Sequence, residues 1–370
     1  LQPFTSRIYI RKVNTTLGEL SMSNLTVTLA EVENLIATTG NKVTVHMKGN
    51  PGIGKSSVLK ALAQRFPTHD SVYIDCADID LGDIAMPVIN HEQKSTAFYP
   101  NERFKLHTGR PSIIMLDEIT KASEPVKNML LPIMQERRLG NVDLHPDSIV
   151  FSTGNLTTDV VGDHMKAHVK NRVTQVVVSP PSAEEWTPWA IDNNVAPEII
   201  AWVSQFPHCM ASYTDESQKE NMYIYHPNRQ QDAFCSARSL AQSSPLVEHR
   251  EKLGMNATMA GLAGTIGESA ARDMSAYFSL ADSLPTRESV YTSPTLATIP
   301  NDPSAQVILV MRELASLEPK NVDAWVTYMQ RLPMEIQALF GVNIMASSKK
   351  TMMSKNKPFV DWAIKNEQFF

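Results

Sequence analysis

Apolar and polar positions recur with two different periods in the first half of the chain. Short apolar runs such as "KVTVHMKG" and "SVYIDCA" predict buried strands. Between them, apolar residues recur every three or four positions, as in "KSSVLKALAQRF", and this period predicts amphipathic helices. Strands that alternate with helices predict a parallel sheet covered by helices on both faces.

The alternation begins after residue 42 and ends at Pro180-Pro181. Strands are predicted in "PSIIMLDE", "DSIVFSTGN" and "RVTQVVVSP", and a helix in "SEPVKNMLLPIMQERR". Within that helix we expect Pro132 to cause a bend or to cap one half. Residues 1–42 predict an irregular lead-in and one helix, with Thr28 as its cap and Gly40 as its stop. The fold class is therefore α/β over residues 43–181.

After residue 181 the pattern is helical. Residues 182–282 predict an all-α domain, beginning with "SAEEWTPWAIDN" and "PEIIAWVSQF". Proline, serine and threonine are frequent in residues 283–305, which favours a linker or an extended arm. Residues 283–370 therefore predict a linker followed by a helical C-terminal extension.

Composition narrows the class of protein. The chain has 370 residues, 42% of them hydrophobic and 20% charged, which is typical of a globular protein. A net charge of −5 argues against general binding to nucleic acid or anionic membranes. We expect no membrane span, because no apolar run reaches ~18 residues.

Location is inferred from the cysteines and from the first residues. Cys76, Cys209 and Cys235 form no C-x-x-C pair and suit a reducing cytoplasm, where we expect them to be small buried hydrophobes. The chain starts at Leu1 without a charged and then apolar leader, so we expect no secretory signal. We also expect the natural first residues to be missing.

A glycine-rich turn follows the first core strand and matches the pattern G-x-x-x-x-G-K-[ST]. Glycines let backbone N–H groups approach a phosphate, and the following helix presents its positive end to it. We expect Lys55 to neutralise the β and γ phosphates and Ser56 to hold Mg²⁺. A purely structural turn is the alternative, and the strand-turn-helix context argues against it. The predicted ATP-binding residues are Gly49, Asn50, Pro51, Gly52, Ile53, Gly54, Lys55, Ser56 and Ser57.

Two further polar sites follow predicted strands. "SIIMLDE" ends in Asp117, a predicted Mg²⁺ ligand alongside Ser56, and Glu118, which would polarise the attacking water. Asn155 follows "SIVFSTG" and is expected near the water and the γ-phosphate, although an amide at this position is often only a turn former. Because ligands of open α/β sheets bind at the carboxyl ends of the strands, we expect these residues to meet there.

With these motifs in order, the chain resembles the AAA+ ATPases, and within them the MoxR-type branch. The resemblance rests on "GNPGIGKS", "LGDIAMPV", "FYPNERFKLHTGRPSIIMLDEITKASEPVKNMLLPIMQERRL", "FSTGNLT", "NRVTQVVV" and "SARSLAQSS". It covers about residues 43–245, whereas the last hundred residues resemble no family that we can name. The resemblance implies a P-loop AAA+ core over residues 43–181 and a helical lid over residues 182–282.

The family implies roles for two arginines. Arg172 matches the arginine finger that reaches the γ-phosphate of the neighbouring subunit, although this chain has Arg172-Val173 where the family usually has Arg-Phe. A salt-bridged surface arginine is the alternative. Arg238 matches the second sensor, which contacts the nucleotide within its own subunit. Arg229 and Arg272 remain competitors for that role.

Two hairpins are also implied, one over residues 84–105, inserted into the second helix of the core, and one in "RRLGNVDLH". In relatives such inserts face the pore or the upper surface of a ring, which suggests contact with a remodelled protein. The alternative is that they only cap the core.

The resemblance thus implies a cytoplasmic Mg²⁺-ATP hydrolase that assembles as a homo-oligomeric ring, with six subunits favoured, and remodels a partner protein. A partner with a von Willebrand factor A domain is implied by the family alone. The alternatives are a DNA-processing AAA+ motor, of the helicase-loader or branch-migration type, and a non-enzymatic ATP-dependent scaffold. Basic residues of the first insert are offset by acidic ones, which favours a protein partner over DNA: Lys94, Arg103 and Lys105 against Glu92 and Glu102.

One histidine pair has metal-ligand spacing on a predicted helix. His164 and His168 lie four residues apart, but Met165 stands where a zinc protease motif would have glutamate. The pair leads toward Arg172, so a subunit-contact face is favoured over zinc.

Overall fold

A computed structural model describes residues 25–156 and 171–369 of the chain. Its centre is a six-stranded parallel sheet in the order β1-β10-β2-β9-β6-β3. The six strands are β1 (Thr26–Val27), β2 (Val45–Lys48), β3 (Asp70–Asp75), β6 (Ser112–Asp117), β9 (Ile149–Gly154) and β10 (Thr174–Val178).

Helices cover both faces of this sheet. Helices α1 (Leu29–Thr39) and α2 (Ser57–Arg65) pack on one face, and α3 (Glu124–Gln135) packs on the other. Side chains of β6 alternate between the two hydrophobic clusters, because successive residues of a strand point to opposite faces. Those on the α1 and α2 side are Ile113 and Met115, and those on the α3 side are Ile114 and Leu116. The predicted α/β core is confirmed.

Local sequence signals set the ends of α1. The hydroxyl of Thr28 accepts a hydrogen bond from the backbone N–H of Glu31, whose carboxylate accepts from the Thr28 N–H in return. The N–H of Gly40 donates to the carbonyl of Ile36 and closes the helix. Both ends were predicted from the sequence. Pro132 lies inside α3, which continues past it to Gln135.

Two hairpins extend from the core. The first pairs β4 (Ala85–Asn90) with β5 (Ser95–Pro100), and the second pairs β7 (Arg138–Leu139) with β8 (Val142–Asp143). The expected insertion into an α-helix is wrong. Turns precede the first hairpin and two short 3-10 helices follow it, Glu102–Phe104 and Leu106–Thr108.

The chain after Pro181 is helical and builds one hydrophobic cluster that runs from Ala183 to Trp362. Segment 283–305, which was expected to be a linker or an arm, contains helix α11 (Arg287–Thr292) and buries Val290 and Ala297 in this same cluster. The helices are α4 (Ala183–Asp192), α5 (Pro197–Gln205), α6 (Ala237–Gln242), α7 (Ser244–Glu248), α8 (Arg250–Leu253), α9 (Met255–Ile266), α10 (Glu268–Asp282), α11 (Arg287–Thr292), α12 (Pro303–Ser316), α13 (Val322–Met329), α14 (Met334–Ala346), α15 (Lys350–Met353) and α16 (Lys357–Lys365).

Within residues 25–156 and 171–369, no helix is both long enough and apolar enough to cross a bilayer. The same residues contain no group of three or more histidine, cysteine, aspartate or glutamate side chains arranged to hold a metal ion. His164 and His168 lie outside the described residues.

Candidate functional site

The candidate site lies where three neighbouring strands end. Strand β2 pairs with β9, and β9 pairs with β6, all in parallel, so their carboxyl ends meet at one edge of the sheet. Lys48 of β2 lies opposite Gly154 of β9 in the register of these strands. The glycine-rich loop, Asn155 and the Asp117-Glu118 pair each follow one of these strand ends, as the sequence predicted.

The loop between β2 and α2 turns through two left-handed glycines. Gly52 has φ +77° and Gly54 has φ +99°, which an L side chain adopts only with strain. The turn closes onto the helix because the N–H and the hydroxyl of Ser57 both donate to the carbonyl of Gly54, over 2.8 and 2.7 Å. Ser56 immediately precedes the first residue of α2.

Lys55 is buried at the centre of the site, with 7% of its surface exposed. Its ammonium donates to the carbonyls of Gly49 and Asn50, over 2.9 and 3.3 Å. It also donates to Oδ1 of Asn155 over 3.0 Å. The loop therefore holds the ammonium group of Lys55 inward, toward Asn155 at the end of β9.

Asn155 links that cation to the acidic pair. While its Oδ1 accepts from Lys55, its Nδ2 donates to Oε2 of Glu118 over 3.2 Å. The same carboxylate oxygen of Glu118 pairs with Lys121 at 3.0 Å. Three residues predicted from separate motifs thus form one continuous hydrogen-bonded chain, Lys55 to Asn155 to Glu118.

Asp117 is 8% exposed and each of its carboxylate oxygens accepts from a hydroxyl. Thr153 donates to Oδ1, and Tyr73 donates to Oδ2 over 2.8 Å. The N–H of Glu118, whose backbone is left-handed with φ +50°, donates to the same Thr153 oxygen over 3.0 Å. Sequence analysis missed Tyr73 and Thr153. Their only signal is a hydroxyl near the end of a strand that neighbours β6.

A buried histidine lies behind the loop. His46 on β2 is fully buried, and its Nδ1 forms a hydrogen bond of 2.9 Å with the Ser152 hydroxyl. Burial, together with the positive charges of Lys48 and Lys55, lowers the pKa of His46 from 6.5 to about 3. The imidazole is therefore neutral at physiological pH, and the cationic charge beside the loop comes from lysine.

The helical region touches the tip of the loop. The N–H of Arg238 in α6 donates to the carbonyl of Gly52 over 3.1 Å, and the Asn50 amide donates to the Ser212 hydroxyl over 3.0 Å. A cleft lies between the loop and this region. Its walls are largely apolar, with lining residues that include Pro51, Ile53, Pro180, Pro181, Met210 and Tyr225.

Arg238 lies beside the loop and near the Tyr73 hydroxyl. Burial and the hydrogen bond to Asp117 raise the pKa of Tyr73, and the positive charge of Arg238 opposes that rise. Arg229, by contrast, donates to the carbonyls of Asn221 and Lys219. The structure brings Arg238 to the loop and gives Arg229 a role in holding its own segment.

Arg172 is exposed, and its Nη1 donates to Oε1 of Gln135 at the end of α3 over 2.6 Å. Among the residues that the structure describes, no hydrogen bond or ion pair joins Arg172 to Lys55, Asp117 or Glu118. The described contact of the Arg172 side chain is thus with α3 and not with these three residues.

The donor set fits Mg²⁺. Mg²⁺ takes oxygen ligands and is usually held by one or two carboxylates together with phosphates and water. The carboxylate of Asp117 and the hydroxyl of Ser56, at the start of α2, are oxygen ligands of this kind. We therefore keep both as candidate ligands.

Comparisons with known proteins agree with this geometry. Residues 44–157 match the sequence profile of the AAA domain (dynein-related subfamily). This segment contains the loop, both acids and Asn155. Residues 44–157 therefore have the α/β P-loop fold of an AAA domain. No curated protein sequence matches the chain significantly.

Solved structures resemble the chain only weakly. A candidate ATPase from Cytophaga hutchinsonii is 16% identical, with 84% of this chain and 79% of that chain covered and a TM-score of 0.31. NtrX from Brucella abortus in complex with ADP is 13% identical, with 92% and 68% covered and a TM-score of 0.36.

Proposed function

We propose that the protein is an Mg²⁺-ATP hydrolase that works as a homo-oligomeric ring, with six subunits favoured, and remodels a partner protein. The observation that carries the catalytic part is the hydrogen-bonded chain from Lys55 through Asn155 to Glu118, beside Asp117. This chain joins an ammonium, a polar amide and a carboxylate in one contiguous site, and this arrangement supports phosphoryl transfer to water.

Each residue has a distinct part in the reaction. The loop N–H groups and Lys55 bind the phosphates, while Glu118 accepts a proton from the attacking water. Asn155 holds the Glu118 carboxylate in place through its Nδ2. Ser56 and Asp117 would hold Mg²⁺, which when bound neutralises charge on the phosphate oxygens.

Contacts between the loop and the helical region support a coupling of hydrolysis to motion. The cleft beside the loop has apolar walls suited to a flat base such as adenine. A nucleotide there would touch the loop and the helical lid together. Two hydrogen bonds between described residues join the lid to the loop, from Arg238 to Gly52 and from Asn50 to Ser212, and the angle of the lid can change when the phosphates change.

Ring formation and a protein partner are supported by surface features. Arg172 is exposed and lies apart from its own site, as a residue that serves a neighbouring subunit would. The first hairpin exposes large apolar side chains to solvent, a composition that suits contact with another protein. They are Met86, Val88, Ile89, Phe98 and Tyr99. The MoxR-like branch, and with it a partner that carries a von Willebrand factor A domain, is proposed from the sequence resemblance alone.

The catalytic proposal is tested by ATP hydrolysis and nucleotide affinity in purified variants. We expect Lys55→Ala to lose affinity for ATP. Glu118→Gln should bind ATP yet hydrolyse it at least about a hundredfold more slowly, the scale of an absent general base. Glu335→Gln, an exposed glutamate of α14, is the matched control and should match the wild type. Unchanged affinity in Lys55→Ala, or full turnover in Glu118→Gln, contradicts the proposal.

Particle imaging of Glu118→Gln with ATP tests the assembly. We expect closed or open rings in which Arg172 of one subunit lies next to the nucleotide of another. Monomers in the presence of ATP, combined with full hydrolysis by the wild type at the same dilution, contradict the ring.

A further inference from the structure

We infer that Tyr73 and Thr153 are positioning residues that fix the carboxylate of Asp117 for Mg²⁺, and that Thr153 also fixes the backbone of Glu118. This inference rests on the proposed Mg²⁺-ATP hydrolysis. It assigns a role to two hydroxyls that were not among the site residues predicted from the sequence.

The two hydroxyls reach Asp117 from opposite sides. Strand β6 lies between β9, which carries Thr153, and β3, which carries Tyr73. Thr153 donates to Oδ1 and Tyr73 donates to Oδ2, so each carboxylate oxygen has a donor of its own. A carboxylate held at both oxygens cannot rotate about its Cβ–Cγ bond without breaking one of these hydrogen bonds.

Lone pairs remain for the metal. An ionised carboxylate offers about four acceptor positions, and the two hydroxyls use two of them. The remaining positions can accept from water in the Mg²⁺ shell or bind the ion. Because Mg²⁺ demands near-ideal octahedral geometry, a fixed carboxylate lowers the cost of forming that shell. Loss of either hydroxyl should therefore weaken Mg²⁺ binding more than nucleotide binding.

Thr153 has a second function that Tyr73 lacks. Its oxygen accepts from the N–H of Glu118, whose left-handed backbone is unusual for a residue other than glycine. Such a conformation persists only where surrounding contacts hold it. Thr153 is fully buried, so its hydroxyl ties the metal carboxylate and the catalytic base into one fixed arrangement.

The two residues should thus give different kinetic results. For Tyr73→Phe we expect the Mg²⁺ concentration at half-maximal hydrolysis to rise about tenfold, the scale of one lost hydrogen bond to a charged group. Its kcat at saturating Mg²⁺ should be unchanged. Thr153→Val should show the same rise in the Mg²⁺ concentration at half-maximal hydrolysis. Its kcat should also fall about tenfold, and excess Mg²⁺ should not restore it. Thr153→Ser, which keeps the hydroxyl, should have the Mg²⁺ dependence and the kcat of the wild type.

Matched controls remove the same kind of bond elsewhere. Tyr291→Phe removes a tyrosine hydroxyl that donates to a buried carboxylate, that of Glu313 in the helical region. Thr44→Val removes a buried threonine hydroxyl, which donates to the carbonyl of Met134 over 2.7 Å. Both should lower the melting temperature, because each removes a buried hydrogen bond, but neither should change the Mg²⁺ dependence of hydrolysis.

Affinity for ATP in EDTA separates this inference from the proposed function. If Tyr73→Phe and Thr153→Val bind ATP normally in EDTA and hydrolyse it once Mg²⁺ is added, while Lys55→Ala loses affinity, the proposed function stands. In that case, a shift in Mg²⁺ half-saturation below twofold for both Tyr73→Phe and Thr153→Val overturns the inference alone. An equal loss of Mg²⁺-free affinity in these variants also overturns it, because the effect would then not lie at the metal carboxylate. If Lys55→Ala keeps both its affinity for ATP and its rate of hydrolysis, the proposed function itself is contradicted.

Discussion

The backbone N–H of Arg238 donates a hydrogen bond to the carbonyl oxygen of Gly52 over 3.1 Å. One partner is the N-terminal turn of α6 in the helical region, and the other is the tip of the glycine-rich loop. The helical region and the loop therefore meet through backbone atoms, and substitution of the Arg238 side chain alone does not remove this contact. A change in the shape of the loop at Gly52 should therefore alter the position of α6.

The first prediction concerns this contact. In Gly52→Ala, the new Cβ would lie 2.4 Å from Oγ and 2.7 Å from Cβ of Ser236, at a residue with φ +77°. The left-handed backbone alone costs about 1–2 kcal/mol for an alanine, and the contact forces the loop and the lid apart. We expect ATP affinity, measured by fluorescence titration, to fall at least about tenfold.

Gly109→Ala is the matched control for this substitution. Gly109 has φ +68°, and its added Cβ would meet no atom within 4 Å. It therefore carries the backbone strain without the contact and should keep its ATP affinity. In Gly52→Ala combined with Ser236→Gly the contact is relieved, so we expect partial recovery. Equal affinities in Gly52→Ala and the wild type would show that the lid contact does not shape the nucleotide site.

The second prediction separates the candidate sensor arginines. Arg238→Ala should weaken ATP binding about tenfold, because it removes one charge-assisted contact with phosphate. Arg229→Ala should instead lower the melting temperature with little effect on affinity, since Arg229 donates to the carbonyls of Asn221 and Lys219. Arg272→Ala, an exposed residue of α10, is the control. A larger loss of affinity in Arg229→Ala than in Arg238→Ala would reverse the assignment.

Much of the core could be predicted from the sequence because its signals are local. The cap of α1 at Thr28, the glycine loop and the acids at the end of β6 each follow from a few adjacent residues. Asn155 could be placed near the loop because parallel strand ends share one edge. Its bonds to Lys55 and Glu118 could not be predicted, because they depend on side-chain rotamers.

The features that the sequence could not predict depend on contacts between distant parts of the chain. Nothing near Tyr73 in the sequence indicates that its hydroxyl reaches Asp117 from the next strand. Segment 283–305 has the composition of a linker, yet Val290 and Ala297 are buried by helices on both sides of it in sequence. In each case tertiary packing overrides the local pattern.

The third prediction uses the pH dependence of stability. His46 has a folded-state pKa of about 3 against 6.5 when exposed, so the unfolded chain binds its proton first as the pH falls. The stabilising effect of the neutral imidazole is complete above pH 6.5 and is lost progressively toward pH 3. As the pH falls from 7 to 5, protonation of His46 in the unfolded chain should lower the free energy of unfolding by about 2 kcal/mol, which urea denaturation measures.

His46→Asn tests this value, because asparagine cannot titrate in this range. The variant is expected to be less stable at pH 7, since it leaves space in a packed core. Its stability should nevertheless fall about 2 kcal/mol less than the wild type between pH 7 and pH 5. His107→Asn, at an exposed position, should retain the pH dependence of the wild type. The same dependence in His46→Asn would mean that another group causes the acid instability.

The last prediction concerns Arg172, which the structure places at Gln135 and away from its own catalytic cluster. If Arg172 completes a neighbouring site, Arg172→Ala should hydrolyse ATP about a thousandfold more slowly while ATP affinity is retained. Glu118→Gln should also be inactive, because it lacks the base. An equimolar mixture should regain activity, since an Arg172→Ala site with an intact Glu118 can receive the arginine of a Glu118→Gln neighbour. Hydrolysis is measured as phosphate release after the subunits exchange.

Two controls are needed to interpret this mixing experiment. A double variant that carries both substitutions, mixed with the wild type at the same ratio, reports how much activity dilution alone leaves. Arg138→Ala changes an exposed arginine of the second hairpin close to the end of α3 and should hydrolyse ATP normally. If the mixture of inactive variants stays inactive although mixed assemblies form, the arginine acts within its own chain or not at all. The exposed position of Arg172 then reflects only its contact with Gln135.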